Sequence, residues 1–378
     1  MADVVVVGAG VVGAACAYYA ARAGMSVTVV DRGAVAAGTT GAGEGNILVS
    51  DKEPGPELEL ALLSGRLWRE LAGLGGFEYE PKGGLVVAET PEVTRSLAAL
   101  ADAQAAHGVD ARPVAAGELR EFEPHLREGL AGGVHYPQDA QVQPMLAAAR
   151  LIRYAPGAVL RTGVRVTGLL RDGDRVTGVR TDKGDIPAGA VVNAAGTWSG
   201  EVAALAGIDL PILPRRGFIL VTEPVGGRLG PPVIRHKVYT AAYVTAVASD
   251  SAGLETSAVI EGTPAGTVLI GASRERVGFD RTTSIPVLAA LARQAVALFP
   301  GLAARRAIRS YCGFRPYCPD HLPVIGAGPR APGLYHACGH EGAGIGLAPA
   351  TGHLVAALLT GTAPGLDLSP FRPERFAA

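Results

Sequence analysis

The sequence predicts an α/β protein that has a Rossmann-like dinucleotide-binding domain and a discontinuous α+β substrate domain built on an antiparallel sheet. Three observations predict this class: a βαβ unit at the start, a block of short alternating strands at residues 211–319, and a strand, glycine-rich turn and helix near the end. The expected dinucleotide-binding domain comprises residues 1–80, 145–210 and 320–378. The expected substrate domain comprises residues 81–144 and 211–319.

The chain begins with ADVVVVGAGVVGAACAYYAARAGMSVTVVDRG, in which residues 4–21 carry no charge. A run of this length is long enough that a membrane-spanning helix must be considered. The β-branched block at residues 4–7 instead suits a buried strand, and Gly8, Gly10 and Gly13 follow it in the G-x-G-x-x-G spacing. A second strand, SVTVV, is followed by Asp31, whose carboxylate can accept a hydrogen bond from a ribose hydroxyl. The order of these elements predicts a dinucleotide site, not a membrane span.

Composition excludes several classes of function. With 378 residues, 48% of them hydrophobic, the chain is long enough to bury the cores of two domains. A net charge of −1 gives no electrostatic basis for binding nucleic acid or an anionic membrane, so neither is an expected partner. Cys16, Cys312, Cys318 and Cys338 do not suggest a disulfide scaffold, and no basic region precedes the apolar run as in a secretory signal. The expected location is the cytoplasm.

The remaining segments alternate in pattern. Helical patterns occur in ELELALLSGRLWRELAGL, VTRSLAALADAQAAHG and PMLAAARLIRYA, while GGLVVAE predicts a strand. Residues 164–196 predict two strands joined by the turn RDGD, a second turn at KGD, and a buried strand that ends in small residues. Residues 211–319 predict strands at RGFILVTE, VYTAAYV, SAVIEG and TVLIGAS, with few helices. The last segment predicts a strand, a turn and an amphipathic helix beginning near Gly346.

Four separated motifs resemble the FAD-dependent amino-acid oxidoreductases of the D-amino-acid oxidase type, which include glycine oxidase and sarcosine oxidase. They are the βαβ unit with Asp31 and Arg32, GTTGAGEGN at residues 38–46, VVNAAGTWS at residues 191–199, and GFRPYCPDHLPVIG followed by CGHEGAGIGLAPATG. The family more often has glutamate where Asp31 stands. Within the family, the second and last motifs look most like the β subunits of heteromeric proline, hydroxyproline or opine dehydrogenases and of hydrogen cyanide synthase.

The resemblance implies a set of residues that contact FAD. They are Gly8, Ala9, Gly10, Val12, Gly13, Asp31, Arg32, Thr39, Thr40, Gly43, Glu44, Gly45, Asn46, Val166, Ala195, Gly196, Trp198, Gly339, Gly342, Ala343, Gly344 and Ile345. Backbone N–H groups in glycine-rich loops and at a helix N-terminus suit the pyrophosphate and a reduced, negatively charged flavin. For Trp198, a place in the core remains an equal alternative to cofactor contact.

The resemblance also implies three catalytic candidates. Arg315 of the GFRP element is expected to hold the substrate carboxylate, since a guanidinium offers two parallel charge-assisted hydrogen bonds. A structural ion pair between Arg315 and Asp320 is the alternative. His340 and Glu341 occupy the following turn, where each is a candidate proton acceptor, substrate contact or plain loop residue.

The cysteines bear on metal and on flavin attachment. Cys312, Cys318, Cys338 and His340 suggest zinc at first sight, but the C-x5-C spacing fits no ordinary structural site, so no metal is expected. The sarcosine oxidases attach flavin to a cysteine a fixed distance before a Pro-Asp pair, and that position here is Gly313. Non-covalent FAD is therefore expected.

The resemblance implies oxidation of the C–N bond of a small amino acid, with hydride transfer to flavin and release of an imine. Sarcosine oxidases place a lysine over the flavin to assist oxygen, whereas three of the four lysines here lie outside residues 211–319 and the fourth, Lys237, matches no such pattern. No iron–sulfur cysteine run occurs either. The expected partners are a small amino-acid substrate and an electron-accepting subunit.

Three other functions stay open at this point: a stand-alone amino-acid oxidase that forms peroxide, an NAD-dependent dehydrogenase, and a flavin-stabilised subunit without a substrate. Four side chains of the expected substrate domain are further pocket candidates whose orientation the sequence does not give. They are His236, Lys237, Tyr239 and Tyr243.

Overall fold

The computed structural model describes residues 2–225, 234–247, 249–328 and 330–376. Its strands are β1 (Ala2–Val7), β2 (Val27–Asp31), β3 (Asn46–Ile47), β4 (Gly84–Ala88), β5 (Arg112–Ala115), β6 (Gly132–Tyr136), β7 (Ala140–Gln141), β8 (Val159–Thr162), β9 (Val166–Asp172), β10 (Arg175–Thr181), β11 (Gly184–Asn193), β12 (Leu213–Thr222), β13 (Lys237–Thr240), β14 (Glu255–Gly262), β15 (Val268–Arg274), β16 (Ala307–Tyr317), β17 (Val324–Ala327) and β18 (Leu334–Cys338). Its α-helices are α1 (Val11–Arg22), α2 (Pro56–Ala72), α3 (Pro91–Ala105), α4 (Leu119–Phe122), α5 (Pro144–Tyr154), α6 (Ser199–Ala204), α7 (Ala241–Val247), α8 (Ile285–Leu298) and α9 (Gly344–Thr360).

The first sheet is mainly parallel, with the strand order β17-β18-β11-β1-β2-β8. The antiparallel strand β10 pairs with β11, and β9 pairs with β10. Its central strand β1 has fully buried valines at residues 4–6, because helices cover one face and the β9–β10 hairpin region covers the other. The uncharged stretch at residues 4–21 is thus divided between a strand and α1. No helix among the described residues is long and apolar enough to cross a bilayer.

The second sheet has the order β16-β12-β15-β14-β13-β4-β6-β5. Its strand pairs are antiparallel except β13 with β4, which are parallel. Apolar side chains of this sheet pack against α8 to form a second core. The strands of the first sheet come from the segments assigned to dinucleotide binding and those of the second from the segments assigned to substrate binding. The residue limits of the two domains remain a proposal.

Three sequence predictions differ from the structure. The expected strand VYTAAYV ends at Thr240 and continues as α7, and α8 was not predicted. The last helix begins at Gly344, close to the expected start near Gly346, but it is buried on most of its surface instead of amphipathic. The reason is that α9 packs against α1 and α2 as well as against β17 and β18, so little of it faces water.

Candidate active site

A cavity of about 690 Å³ is lined by residues of both large sheets. It lies at the carboxyl ends of the parallel strands β1, β2 and β11, where open α/β sheets usually bind ligands. Strands β12 and β16 of the second sheet form another wall, and the turn before α9 completes the lining. The two sheets therefore enclose one continuous space.

Most residues predicted for the site line this cavity. They are Gly8, Gly10, Val12, Asp31, Arg32, Thr39, Thr40, Gly43, Glu44, Asn46, Val166, Ala195, Gly196, Trp198, Arg315, Gly339, His340, Glu341, Gly342, Gly344 and Ile345. Four predicted residues are not part of the lining: Ala9, Gly13, Gly45 and Ala343.

The glycines of the first turn have different structural tasks. Gly8 has a φ of 115°, and a side chain there would overlap the carbonyl oxygen of Ala194 at the end of β11. A side chain at Gly13 would overlap the carbonyl oxygen of Gly8, so Gly13 allows α1 to pack closely on β1 and stays out of the cavity. Gly10 lines the cavity and leaves bare backbone at the start of α1.

Asp31 ties the ends of two loops to β2. Its Oδ2 accepts a hydrogen bond from the Ala9 N–H at 2.8 Å, and its Oδ1 accepts one from the Gly33 N–H at 2.7 Å. A carboxylate has about four acceptor positions, so each oxygen retains capacity for a ligand hydroxyl. Ala9 thus contributes to the site through its backbone, although it does not line the cavity.

Trp198 belongs both to the packing and to the cavity wall. The Arg32 guanidinium lies 4.3 Å from the Trp198 ring centroid, and the Phe279 ring stacks on Trp198 with centroids 5.3 Å apart. Trp198 thus lines the cavity and is packed on one side by these two residues, and its contact with the cofactor stays a prediction. Phe279 was not predicted, because the stacking depends on a loop that is about eighty residues away in the chain.

The loop at residues 38–46 uses two of its hydroxyls and one of its glycines for contacts within the protein. The Thr40 hydroxyl accepts a hydrogen bond from the Val11 N–H at 3.0 Å and so caps the first turn of α1, while Thr39 donates to the Phe314 carbonyl at 2.6 Å. A side chain at Gly45 would overlap the Val142 carbonyl oxygen. The close backbone approach that Gly45 permits is therefore to the protein itself.

Arg315 lies on β16 and contributes its guanidinium to the cavity. Its Nη1 donates to the carbonyl oxygen of Ser273 at 2.8 Å, and no carboxylate of the described residues forms an ion pair with it. Asp320, the partner considered from the sequence, binds Arg375 instead. Gly217 on the neighbouring strand β12 gives the guanidinium room, since a side chain there would overlap Nη1.

His340 and Glu341 line the cavity with side chains that already have partners. Burial lowers the pKa of His340 to about 3, so its ring is neutral, and its Nε2 lies 2.9 Å from the Thr351 hydroxyl. Glu341 contacts three groups: the His321 ring at 2.9 Å, the Cys318 N–H at 3.3 Å and Arg215 Nη1 at 3.4 Å. A catalytic role for either residue stays a prediction, and these contacts favour a role in shaping the turn.

Of the four further pocket candidates, Tyr243 lines the cavity and the other three do not. Each of those three is held by a carboxylate: His236 by Glu123, Lys237 by Glu261, and Tyr239 by Asp139. Tyr243 lies on α7, the helix that the sequence pattern presented as a strand. Gly217, Ile219 and Arg281 also line the cavity and were missed, as no local motif marks them.

The surroundings of the cysteines bear on the expectations about metal and flavin attachment. All four are free thiols, and no cluster of three or more His, Cys, Asp or Glu suited to a metal occurs in the part of the chain that the structure describes. Gly313 lines the cavity, whereas Cys312 packs against the core of the second sheet. Cys338 is in the lining, but burial raises the pKa of its thiol to about 12, so it is not a ready nucleophile.

Comparison with known proteins now decides the family. The model of the FAD dependent oxidoreductase family matches residues 3–358. The chain belongs to this family. This FAD-dependent oxidoreductase is 30% identical to the hydrogen cyanide synthase subunit HcnC of Pseudomonas aeruginosa, over 99% of this chain and 96% of that protein.

Solved structures give the same picture for this oxidoreductase. Glycine oxidase from Geobacillus kaustophilus superposes with a TM-score of 0.89 and 29% identity, covering 100% of this chain and 99% of that one. L-proline dehydrogenase from P. horikoshii has a TM-score of 0.89 and 26% identity, covering 99% and 97%. The α/β fold and the resemblance found in the sequence are thereby confirmed.

The residues of the cavity fit FAD. Helices α1 and α9 both begin at the cavity, and their free N–H groups and dipoles suit the charges of a pyrophosphate and a reduced flavin. Bare backbone at Gly10 and Gly43 permits close approach of a flat ligand. The buried Oδ1 of Asn46 has no hydrogen-bond partner among the described residues and is available to a donor on the cofactor.

Proposed function

We propose that this enzyme oxidises the C–N bond of a small amino acid or N-substituted amino acid of the proline, hydroxyproline, glycine, sarcosine or opine class. The observation that carries the proposal is the guanidinium of Arg315, which shares one cavity with the glycine turns and forms no ion pair within the described residues. A positive group with that geometry is suited to a substrate carboxylate. Similarity to a glycine oxidase and to an L-proline dehydrogenase supports the amino-acid class.

FAD and the residues of the cavity lining have different roles in this reaction. FAD, when bound, supplies the two-electron acceptor, which is chemistry that no side chain provides. Arg315 holds the substrate carboxylate, and its hydrogen bond to Ser273 limits the rotation of the guanidinium. The neutral ring of His340 and the anchored carboxylate of Glu341 close the cavity beside the start of α9.

We also infer that FAD is bound without a covalent link. Gly313 stands at the position where a linking cysteine would be expected, and the Cys312 side chain belongs to the core of the second sheet. Acid precipitation of the purified chain is expected to leave the yellow colour in the supernatant. Flavin that remains with the pellet would exclude non-covalent binding.

The natural electron acceptor is proposed to be a partner subunit and not oxygen. All four lysines of the chain have described positions, and none lines the cavity. Lys237 pairs with Glu261, Lys52 pairs with Asp51 and Glu57, and Lys82 donates to the Gly262 carbonyl. A lysine that assists the reaction of reduced flavin with oxygen is therefore missing from the lining. The free thiols are consistent with a reducing location such as the cytoplasm.

One experiment tests this function together with the acceptor. The isolated chain is supplied with glycine, sarcosine, proline, hydroxyproline and an opine, and dye reduction is compared with oxygen uptake. With at least one of these amino acids, we expect the chain to reduce the dye much faster than it consumes oxygen. Oxygen uptake as fast as dye reduction, with peroxide formed in step, would identify a stand-alone oxidase. Dye reduction by none of them would contradict the proposed substrate class.

A further inference from the structure

Glu44 has a carboxyl group with unusual surroundings. The residue lies in the loop between β2 and β3, lines the cavity and is 6% exposed. Within the described part of the chain, its Oε2 accepts a long 3.4 Å hydrogen bond from Asn46 Nδ2, and its Oε1 has no hydrogen-bond partner. A buried carboxyl with so few partners is costly, so a bound group that donates hydrogen bonds would stabilise it.

The second sheet provides the space and the charges around this carboxyl. A side chain at Gly271 on β15 would overlap Oε1, so glycine at that position leaves room for the carboxyl. Lys237 of β13 and Glu261 of β14 form a buried ion pair, and Glu261 also accepts the N–H of Gly45 at 3.3 Å. The charged groups that act on Glu44 are Lys237, Glu261 and Arg315 of β16. The charge of Glu44 acts in turn on Tyr311 of β16 and Tyr243 of α7.

These surroundings place the titration of Glu44 close to neutral pH. Burial raises the pKa of the Glu44 carboxyl to about 7. The positive charges of Lys237 and Arg315 oppose the rise, while the negative charge of Glu261 adds to it. A carboxyl of this kind can lose and accept a proton at physiological pH, which an ordinary surface glutamate does not do.

Oxidation of an amino acid to an imine requires the substrate nitrogen to lose a proton. At neutral pH the substrate nitrogen is an ammonium, and it must lose a proton before its electron pair can form the C–N double bond. We propose that the Glu44 carboxylate binds the substrate ammonium and accepts its proton, while Arg315 holds the substrate carboxylate; this rests on the function proposed above. In this step an N–H bond breaks, an O–H bond forms on Glu44, and the electron pair stays on nitrogen.

Glu341 and His340, the two residues of the turn before α9 that were considered as proton acceptors, are less suited to this task. Glu341 already contacts the His321 ring, the Cys318 N–H and Arg215. The His340 ring is buried against Thr351, and its pKa of about 3 makes it a poor proton acceptor at neutral pH. Glu44 combines a place in the lining, an unpartnered oxygen and a suitable pKa.

A pair of matched ligands tests the proposal without turnover. 2-Aminoisobutyrate has no Cα hydrogen and is not oxidised at Cα, and pivalate is the same molecule with a methyl group in place of the amine. Binding of both to the FAD-loaded protein is measured by calorimetry between about pH 6 and about pH 8. Because the carboxylate form of Glu44 increases through this interval, wild-type affinity for 2-aminoisobutyrate is expected to rise about tenfold, with no such rise for pivalate.

Variants assign this effect to Glu44. Glu44→Gln has nearly the same shape and is expected to bind 2-aminoisobutyrate at least about tenfold more weakly at the upper pH, without pH dependence, and to bind pivalate as well as wild type does. Glu44→Asp retains a carboxyl and should keep part of the pH dependence. Glu59→Gln, which changes an exposed residue of α2, should behave as wild type. The FAD content of each variant is measured alongside.

Several outcomes would overturn the role of Glu44. One is a Glu44→Gln variant whose affinity for 2-aminoisobutyrate keeps the wild-type pH dependence. Another is a Glu44→Gln variant that loses FAD but still prefers 2-aminoisobutyrate to pivalate. That result would assign Glu44 to binding of the cofactor. Wild-type protein that binds pivalate but not 2-aminoisobutyrate would overturn this role and leave the Arg315 site intact. Failure to bind either ligand would contradict the amino-acid function itself, and the role of Glu44 with it.

Discussion

Replacement of Arg315 by alanine is expected to lower the efficiency of flavin reduction by the amino-acid substrate at least about tenfold, while FAD remains bound. A charge-assisted hydrogen bond contributes roughly 1.5 to 3 kcal/mol, which corresponds to that factor or more. The loss should appear in substrate capture, because the guanidinium lies in the lining and forms no ion pair that its removal would leave unbalanced within the described residues. The readout is the rate of anaerobic flavin reduction at low substrate concentration.

Two further variants distinguish the binding of the substrate carboxylate by Arg315 from a general effect of charge. Arg315→Lys keeps the positive charge but loses the two-pronged geometry, so it should recover a part of the activity. Arg309→Ala removes an exposed arginine from the same strand, outside the cavity lining, and should reduce flavin at the wild-type rate. If the flavin of the Arg315→Ala enzyme is reduced as fast as that of wild type, Arg315 does not hold the substrate carboxylate.

Replacement of Gly8 by alanine is expected to abolish FAD binding. Gly8 has a φ of 115°, and an added Cβ would overlap the carbonyl oxygen of Ala194, so the turn between β1 and α1 has to move. Gly24 provides a matched control, since its φ is also positive, at 86°, but an added Cβ would meet nothing within 4 Å. Alanine at Gly24 should therefore cost only the backbone strain, about 1 to 2 kcal/mol, and keep FAD.

Flavin content per chain and the melting temperature, with and without added FAD, measure this difference. The Gly24→Ala protein should be stabilised by FAD as wild type is, because a ligand that binds the folded state raises the free energy of unfolding. The Gly8→Ala protein should show no such stabilisation. If both variants retain one FAD per chain and melt together, the close contact between the β1 turn and β11 is not required for the cofactor.

The parts of the fold that depend on local sequence were predictable. Strand β1, the glycine turn, α1 and β2 follow one another within about thirty residues, so spacing alone identified them. The second half of VYTAAYV was assigned to a strand because an alternating pattern this short does not distinguish a strand from a helix, and the alanines favour the helix that forms. That error left open which way the pocket candidate Tyr243 faces, and the structure shows that it reaches the cavity from α7.

The chemistry of the site depends on contacts between distant segments. Glu44 was assigned to the cofactor from its loop alone, whereas its raised pKa depends on burial and on charges about two hundred residues away at Lys237 and Glu261. The orientation of Arg315 depends on Ser273 and on the space left by Gly217, and no local motif marks either residue. Sequence patterns identify such residues one at a time, and only the folded chain shows which of them face each other.

The central claim is that an amino acid loses two electrons from its C–N bond in the cavity shared by Arg315 and the glycine turns. The most direct measurement adds a panel of amino acids and N-substituted amino acids to the FAD-loaded chain without oxygen, follows the flavin spectrum and identifies the product. We predict that at least one small amino acid bleaches the flavin and gives one equivalent of imine, or of its hydrolysis product, per FAD. A flavin that dithionite reduces but that no member of the panel bleaches would contradict the claim.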